Sequence, residues 1–216
     1  MNEAGFDAQA VETDLSSRDS ILRLIDTAQQ YGEIKMLVNA AGVSPNQASI
    51  ETILKVDLYG TAVLLEEVGK IVKQGGTGVT ISSQSGHRMP ALGAEVDELL
   101  ATTPTEELLN LEVLQPKNIK DTLHAYQMAK RCNVKRVMAE AVKWGARGAR
   151  INSISPGIIV TPLAIDEFNG PRGDFYKNYV CQMPCGTSGD SRRSGKRRRT
   201  ADGTERRVYH GRRFPD

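Results

Sequence analysis

Apolar residues in the first three-quarters of the chain alternate between short continuous runs and stretches with a helical period. Residues 9–14 read as a short strand. Ser17 is placed to cap a helix whose Ile21, Leu22, Leu24, Ile25 and Ala28 fall on one face, with Gly32 placed to stop it. Lys35-Met36-Leu37-Val38 reads as a buried strand that breaks at Asn39-Ala40-Ala41-Gly42. A long helix is expected over about 49–74, because Ile50, Ile53, Leu54, Leu58, Ala62, Leu65, Val68 and Val72 keep a helical period up to Gly75-Gly76. A strand over 78–83, a helix near 121–145 and a strand within 146–155 follow. Short apolar strands alternating with amphipathic helices predict an α/β fold, a doubly wound parallel sheet with helices on both faces.

Residues 87–122 interrupt this rhythm and are acidic, with Glu95, Asp97, Glu98, Glu106, Glu107 and Glu112. Thr103-Pro104-Thr105-Glu106 has the form of a capping box with proline at the first helical position. The segment is expected to be an inserted helical lid, or else a surface excursion without function. Beyond residue 178 the apolar period stops and basic runs appear, Arg192-Arg193 and Lys196-Arg197-Arg198-Arg199. The expected division is therefore a body over 1–178 and a basic, disordered tail over 179–216.

Charge sharpens that division. The net +2 is the sum of unlike parts, since residues 186–216 hold ten basic and four acidic side chains while the rest is net acidic. A basic tail is one signature of nucleic-acid binding, but only Tyr209 and Phe214 supply aromatic surface there, so nucleic acid is not the expected partner. At 39% apolar residues the chain can build a core, and no apolar run reaches the ~20 residues of a membrane span. Glu3, Asp7, Glu12 and Asp14 near the start predict no signal peptide. Three cysteines, Cys132, Cys181 and Cys185, predict a reducing, cytoplasmic setting and no metal site.

The candidate chemistry lies at Tyr126 and Lys130, four apart and so on one helix face. A neighbouring ammonium favours a phenolate and brings a tyrosine toward acid–base work near neutral pH. Alone, the pair reads equally as a packed tyrosine beside a solvated lysine. Its company adds weight. Asn39-Ala40-Ala41-Gly42, then Ile81-Ser82-Ser83-Gln84-Ser85-Gly86, then Pro156-Gly157-Ile158-Ile159-Val160-Thr161 each lie at the end of a strand, where open α/β sheets bind ligands.

These signals, in this order over residues 5–178, resemble the short-chain dehydrogenase/reductase family. The resemblance implies a Rossmann-like fold, NAD or NADP as cofactor, a small carbonyl or alcohol substrate, and a homo-oligomer (dimer or tetramer) built through the two long helices. It implies Tyr126 as general acid/base, Ser83 as the hydrogen-bonding partner of the substrate oxygen, and Lys130 on the nicotinamide ribose. Asp57 stands where the family carries a catalytic Asn, as a proton-relay member or a partly exposed side chain. Ile159 and Thr161, after Pro156 and Gly157, would flank the carboxamide; Asn39, Ala40, Ala41, Gly42 and Ser82 would line the cofactor, with Asp14 near adenine. The family's Gly-rich phosphate turn does not occur in this sequence. The sheet is accordingly expected to lack two initial strands and the last one. Back-translated and read one base later, residues 179–216 can spell a segment similar to the family's C-terminus, which implies a frame change near residue 179. The alternative to an active oxidoreductase is then a catalytically incompetent fragment of the same ancestry.

Overall fold

The computed structural model describes Gly5, residues 7–171, Gly173, Asp174, Asn178 and four short strands beyond them. The chain divides into two compact units, Met1–Ile154 and Ser155–Asp216.

In the first unit, α1 (Arg18–Gln30) starts at Ser17, whose hydroxyl accepts from the Ser20 amide, and ends at Tyr31 and at Gly32 with φ +126°. Ile21 and Ile25 are buried as the pattern required, while Ala28 is exposed. Strand β1 (Met36–Asn39) leads to a continuous helical stretch made of α2 (Ile50–Ile53), a π-helical segment (Leu54–Gly60) and α3 (Thr61–Ile71). That stretch stops three residues before the expected end. The Lys73 amide turns instead to the Ile34 carbonyl, and the Gly75 amide to that of Gly148. Strand β2 (Thr77–Ile81), α4 (Ser85–Arg88), α5 (Ala94–Thr102), three 3₁₀ turns over 105–118, α6 (Thr122–Ala146) and β3 (Arg150–Ile154) complete the unit.

The three strands form a parallel sheet in the order β1-β2-β3, with Val38 opposite Val79 and Thr80 opposite Ser153. This is the partial parallel sheet of a Rossmann-like α/β fold. One face packs on the helices. Leu37 and Ile151 join Ile21, Val63, Leu65, Val68, Val72 and Trp144 in one core cluster. Gly78 is required there, because a Cβ would lie 2.3 Å from Ile151 and 2.9 Å from the Trp144 ring. The opposite face is open: Met36 is 68% and Val38 64% exposed, and Ile154 is also exposed. The reading of residues 35–38 as a buried strand is thus corrected. No helix among the described residues covers that face, and β1 pairs on one side only. Residues 9–14 do not form the expected strand for the same reason, since no neighbouring strand offers them a ladder.

The segment 87–122 is no loose excursion. Met89, Leu100, Leu108, Leu114 and Ile119 are buried and build a second core cluster with Ile53, Leu54, Leu58, Ala125, Met128, Ala129 and Cys132. Asp97 of α5 pairs with Arg131 at 2.6 Å and Lys135 at 3.1 Å on α6. The capping box at Thr103–Glu106 is not formed. Glu106 instead pairs with Arg18 at 2.6 Å and accepts from the Tyr59 hydroxyl at 3.1 Å, while Thr105 bonds the Glu66 carboxylate.

In the second unit, β4 (Ile159–Val160) runs parallel to β5 (Ser188–Asp190), which pairs antiparallel with β8 (Gly211–Arg212). Helix α7 (Pro162–Asn169) follows β4, and β6 (Arg197–Arg199) pairs with β7 (Glu205–Arg207). Cys181 and Cys185 lie outside the described residues. Among the described residues no helix is long and apolar enough to cross a membrane.

Candidate active site

The site grows from the loop after β1, the π-helical segment, and the turn after β2 packed on the first half of α6. The first is Asn39-Ala40-Ala41-Gly42. Asn39 is buried at the end of β1, and its amide donates to the Thr61 hydroxyl at 3.1 Å, so it anchors the loop to α3. Ala40, Ala41 and Gly42 are exposed. A Cβ on Gly42 would lie 2.9 Å from Asp57 Oδ1, so a larger residue there would displace that carboxylate.

The second is the π-helical segment, which carries Asp57. It is 1% exposed, which overturns the reading of a partly exposed side chain. Oδ1 accepts from the Val43 amide at 2.8 Å, whereas Oδ2 has no hydrogen-bond partner. Burial pushes the carboxyl up from its ordinary range, against the pull of Lys130 and the Val43 amide. A wide helical turn was hinted at by the stripe Ile50, Leu54, Leu58, Ala62, which steps by four each time. Such turns recur at functional sites.

The third segment is the turn after β2 with the first half of α6. Asp121 caps α6, its side chain accepting from the His124 amide at 2.8 Å. Tyr126 is half-buried against the insert's core cluster. Lys130 is 6% exposed, not solvated. Its Nζ lies 5.3 Å from the Tyr126 ring centroid, 3.7 Å from Asp57 Oδ2 and 3.4 Å from the Ile81 carbonyl. Burial holds the ammonium below its ordinary range, and the Asp57 carboxylate opposes that. Ser82 is buried and donates to the Lys130 carbonyl at 2.7 Å, riveting the end of β2 to α6. Ser83 is half-buried, and its Oγ accepts from the Ser85 amide at 3.1 Å.

Gly86 closes the Ile81–Gly86 motif of the sequence, where no role was assigned to it. A Cβ there would lie 2.6 Å from the Arg131 amide nitrogen and 2.8 Å from the Lys130 carbonyl carbon, so glycine is what brings the Ser83–Gly86 turn onto α6. The only prior signal was its place three residues after a candidate serine.

Asp14 is exposed, and its carboxylate accepts from the Ser16 amide and hydroxyl, both at 2.8 Å, which lowers its pKa. Of the second unit's candidates, Thr161 accepts from the Ala164 amide at 3.2 Å and so starts α7. Ile159 opens β4, and Pro156 and Gly157 precede it.

The structure therefore brings Gly42, Asp57, Ser82, Tyr126 and Lys130 together. A buried ammonium that lies beyond hydrogen-bond range of the Asp57 carboxylate suits the hydroxyl-rich, ribose end of a dinucleotide. The Gly-rich stretch Gly75-Gly76-Thr77-Gly78 leads from α3 into β2, not from a strand into a helix, so it offers no helix N-terminus to a pyrophosphate.

Comparison with known proteins agrees with this architecture. Residues 2–96 match the family model described as enoyl-(acyl carrier protein) reductase. The short-chain dehydrogenase/reductase bsc3 of Alternaria brassicicola is 36% identical over 192 residues, covering 88% of this chain and 70% of the relative. D-threitol dehydrogenase of Mycolicibacterium smegmatis is 28% identical, covering 71% of this chain and 51% of the relative. In fold, 3-alpha-hydroxysteroid dehydrogenase of a Pseudomonas species, solved with NADH, superposes with TM-score 0.69 at 23% identity, covering 86% of this chain and 73% of the other. BdcA, solved with NADPH, superposes with TM-score 0.54 at 25% identity, covering 81% and 59% respectively. Motif order, parallel-sheet topology and the similarity to bsc3 agree, and the chain belongs to the short-chain dehydrogenase/reductase family.

Proposed function

We propose that this chain carries the catalytic part of an NAD(P)-dependent oxidoreductase acting on a small carbonyl or alcohol substrate. The observation that carries the reading is the buried Lys130 ammonium poised over the Tyr126 ring. In carbonyl reduction, the Tyr126 phenol donates a proton to the substrate oxygen; in alcohol oxidation, it takes that proton back. Lys130 favours the phenolate and offers its remaining N–H donors to a ribose. Ser83 hydrogen-bonds the substrate oxygen. Asn39, Ala40, Ala41, Gly42 and Ser82 support the cofactor-side wall and Asp14 the adenine end, while Pro156, Gly157, Ile159 and Thr161 keep the carboxamide role that the family resemblance gives them. The bound nicotinamide supplies or accepts the hydride. The relatives' names suggest polyols and cyclic alcohols or ketones as first substrates to try.

The reading extends to a homo-oligomer through the long helices. Met138 and Val142, four apart on α6, are exposed apolar side chains suited to such a contact. The reading also includes a cytoplasmic setting. Burial pushes the Cys132 thiol up to about 12 and keeps it unreactive. A second reading, a chain that does not hold the cofactor, is favoured by the open sheet face, where Met36 and Val38 are exposed.

The test is titration of the purified chain with NADH and with NADPH, followed by turnover of a polyol and cyclic-ketone panel. Saturable binding with turnover that Tyr126→Phe abolishes supports the first reading. Absence of binding to either cofactor by a folded chain supports the second.

A further inference from the structure

Asp57 is the one buried acid within ion-pair reach of Lys130 among the described residues, and the catalytic reading leaves its second oxygen without a partner. Oδ1 accepts from the Val43 amide, and the space beside it is where a side chain on Gly42 would fall. Oδ2 faces the Lys130 ammonium at 3.7 Å, beyond hydrogen-bond range and within ion-pair range. The ammonium thus has three neighbours: the Asp57 carboxylate, the Tyr126 ring and the Ile81 carbonyl, to which it donates at 3.4 Å.

The other charged groups on the elements packed around α6 are engaged elsewhere or exposed. Asp97 of α5 is taken by Arg131 and Lys135. Arg136 reaches the Ala101 carbonyl and the Thr105 hydroxyl, and Glu140 pairs with Lys143. Glu66, Glu67 and Lys70 of α3 form a network with Arg18. His87 and Arg88 of α4, and Arg150 of β3, are exposed.

We infer that Asp57 is a positioning residue: its carboxylate acts as a buried counter-ion that holds Lys130 toward the loop after β1 and partly cancels the positive field at Tyr126. An amide in the same place would hold the ammonium without cancelling its charge. The consequence is a tyrosine that gives up its proton at higher pH than the same site with an uncharged residue at position 57, so the working range is displaced toward alkaline pH. This inference rests on the Tyr126–Lys130 reading above.

The experiment follows Tyr126 itself and needs neither cofactor nor turnover. Carbon-13 labelled tyrosine is incorporated into the full chain, the Tyr126 signal is assigned with Tyr126→Phe, and its titration is followed by NMR. Asp57→Asn keeps shape and removes charge, and the Tyr126 midpoint is expected to fall by about one pH unit, the size of one charge acting over several ångströms in a partly buried site. Lys130→Met is expected to raise it. A midpoint that rises with Lys130→Met and stays put with Asp57→Asn overturns the counter-ion role and leaves the catalytic reading standing. A midpoint unmoved by Lys130→Met overturns both. A measurement on the unaltered chain guards against a variant that does not fold: the Asp57 carboxyl carbon, observed directly, must report an ionised group at pH 7. A protonated Asp57 at that pH overturns the proposal.

Discussion

Replacing Leu108 by alanine asks whether the insert 87–122 is structural or a detachable lid. Leu108 is fully buried in the cluster shared by Leu100, Leu114, Ile53, Leu58, Met128 and Cys132. Its neighbours come from the π-helical stretch and from α6 as well as from the insert, so they cannot close over the hole without moving the helix that bears Tyr126. Truncating a leucine in such a site costs the transfer of the lost methyl and methylene groups plus a cavity, together about 3 kcal/mol. A domain of this kind holds roughly 5–15 kcal/mol in total. With a urea dependence of about 2 kcal/mol per molar, the unfolding midpoint is expected to fall by about 1.5 M. The assay is urea unfolding followed by circular dichroism, with Leu99→Ala as the control. Leu99 is an exposed neighbour of Leu100 on α5, and its loss is expected to cost no more than about 0.5 kcal/mol. A cost below about 1 kcal/mol for Leu108→Ala refutes the insert's place in the core.

Other consequences concern pH and the two serines. Burial raises Glu66, but the Thr105 hydroxyl, Lys70 and Arg18 outweigh it and hold the carboxyl down at about 2. A depressed folded-state pKa stabilises the fold above the unfolded value near 4.5 and is lost as pH falls toward about 2. Glu66→Gln is therefore expected to flatten the loss of stability between those values, measured by thermal melts across that range; an unchanged acid limb contradicts the pairing. Ser82→Ala removes the bond to the Lys130 carbonyl and is expected to cost about 1 kcal/mol of stability. Ser83→Ala is expected to leave the melting temperature within a degree or two and to lower kcat/KM. Equal effects of the two substitutions on both quantities contradict the division of labour.

Much of this fold is written locally. Ser17 and Gly32 bracket α1, Asp121 caps α6, and the apolar run around residue 79 became a central strand, because capping and short-range periodicity act within a few residues. What failed depends on partners. A strand at 9–14 needs a neighbour, and Met36 and Val38 need a covering layer, neither of which a local apolar pattern can report. The capping box lost Glu106 to Arg18, 88 positions earlier in the chain. For the candidate site, Tyr126 and Lys130 were legible from a spacing of four. The buried pairing of Lys130 with Asp57 was not, because it crosses from α6 to a π-helical turn that sequence period only hinted at. Gly86 stood in a recognised motif, but the need for glycine there was not legible, because it comes from the backbone of α6, far along the chain.

The most direct test of the catalytic claim compares Tyr126→Phe with the unaltered chain in both cofactor binding and turnover. The account predicts NADH or NADPH affinity within about twofold of the unaltered chain, and turnover lowered by about 10²–10⁴-fold, the range of a lost general acid. Turnover retained by Tyr126→Phe contradicts the account, because the proton would then come from another group.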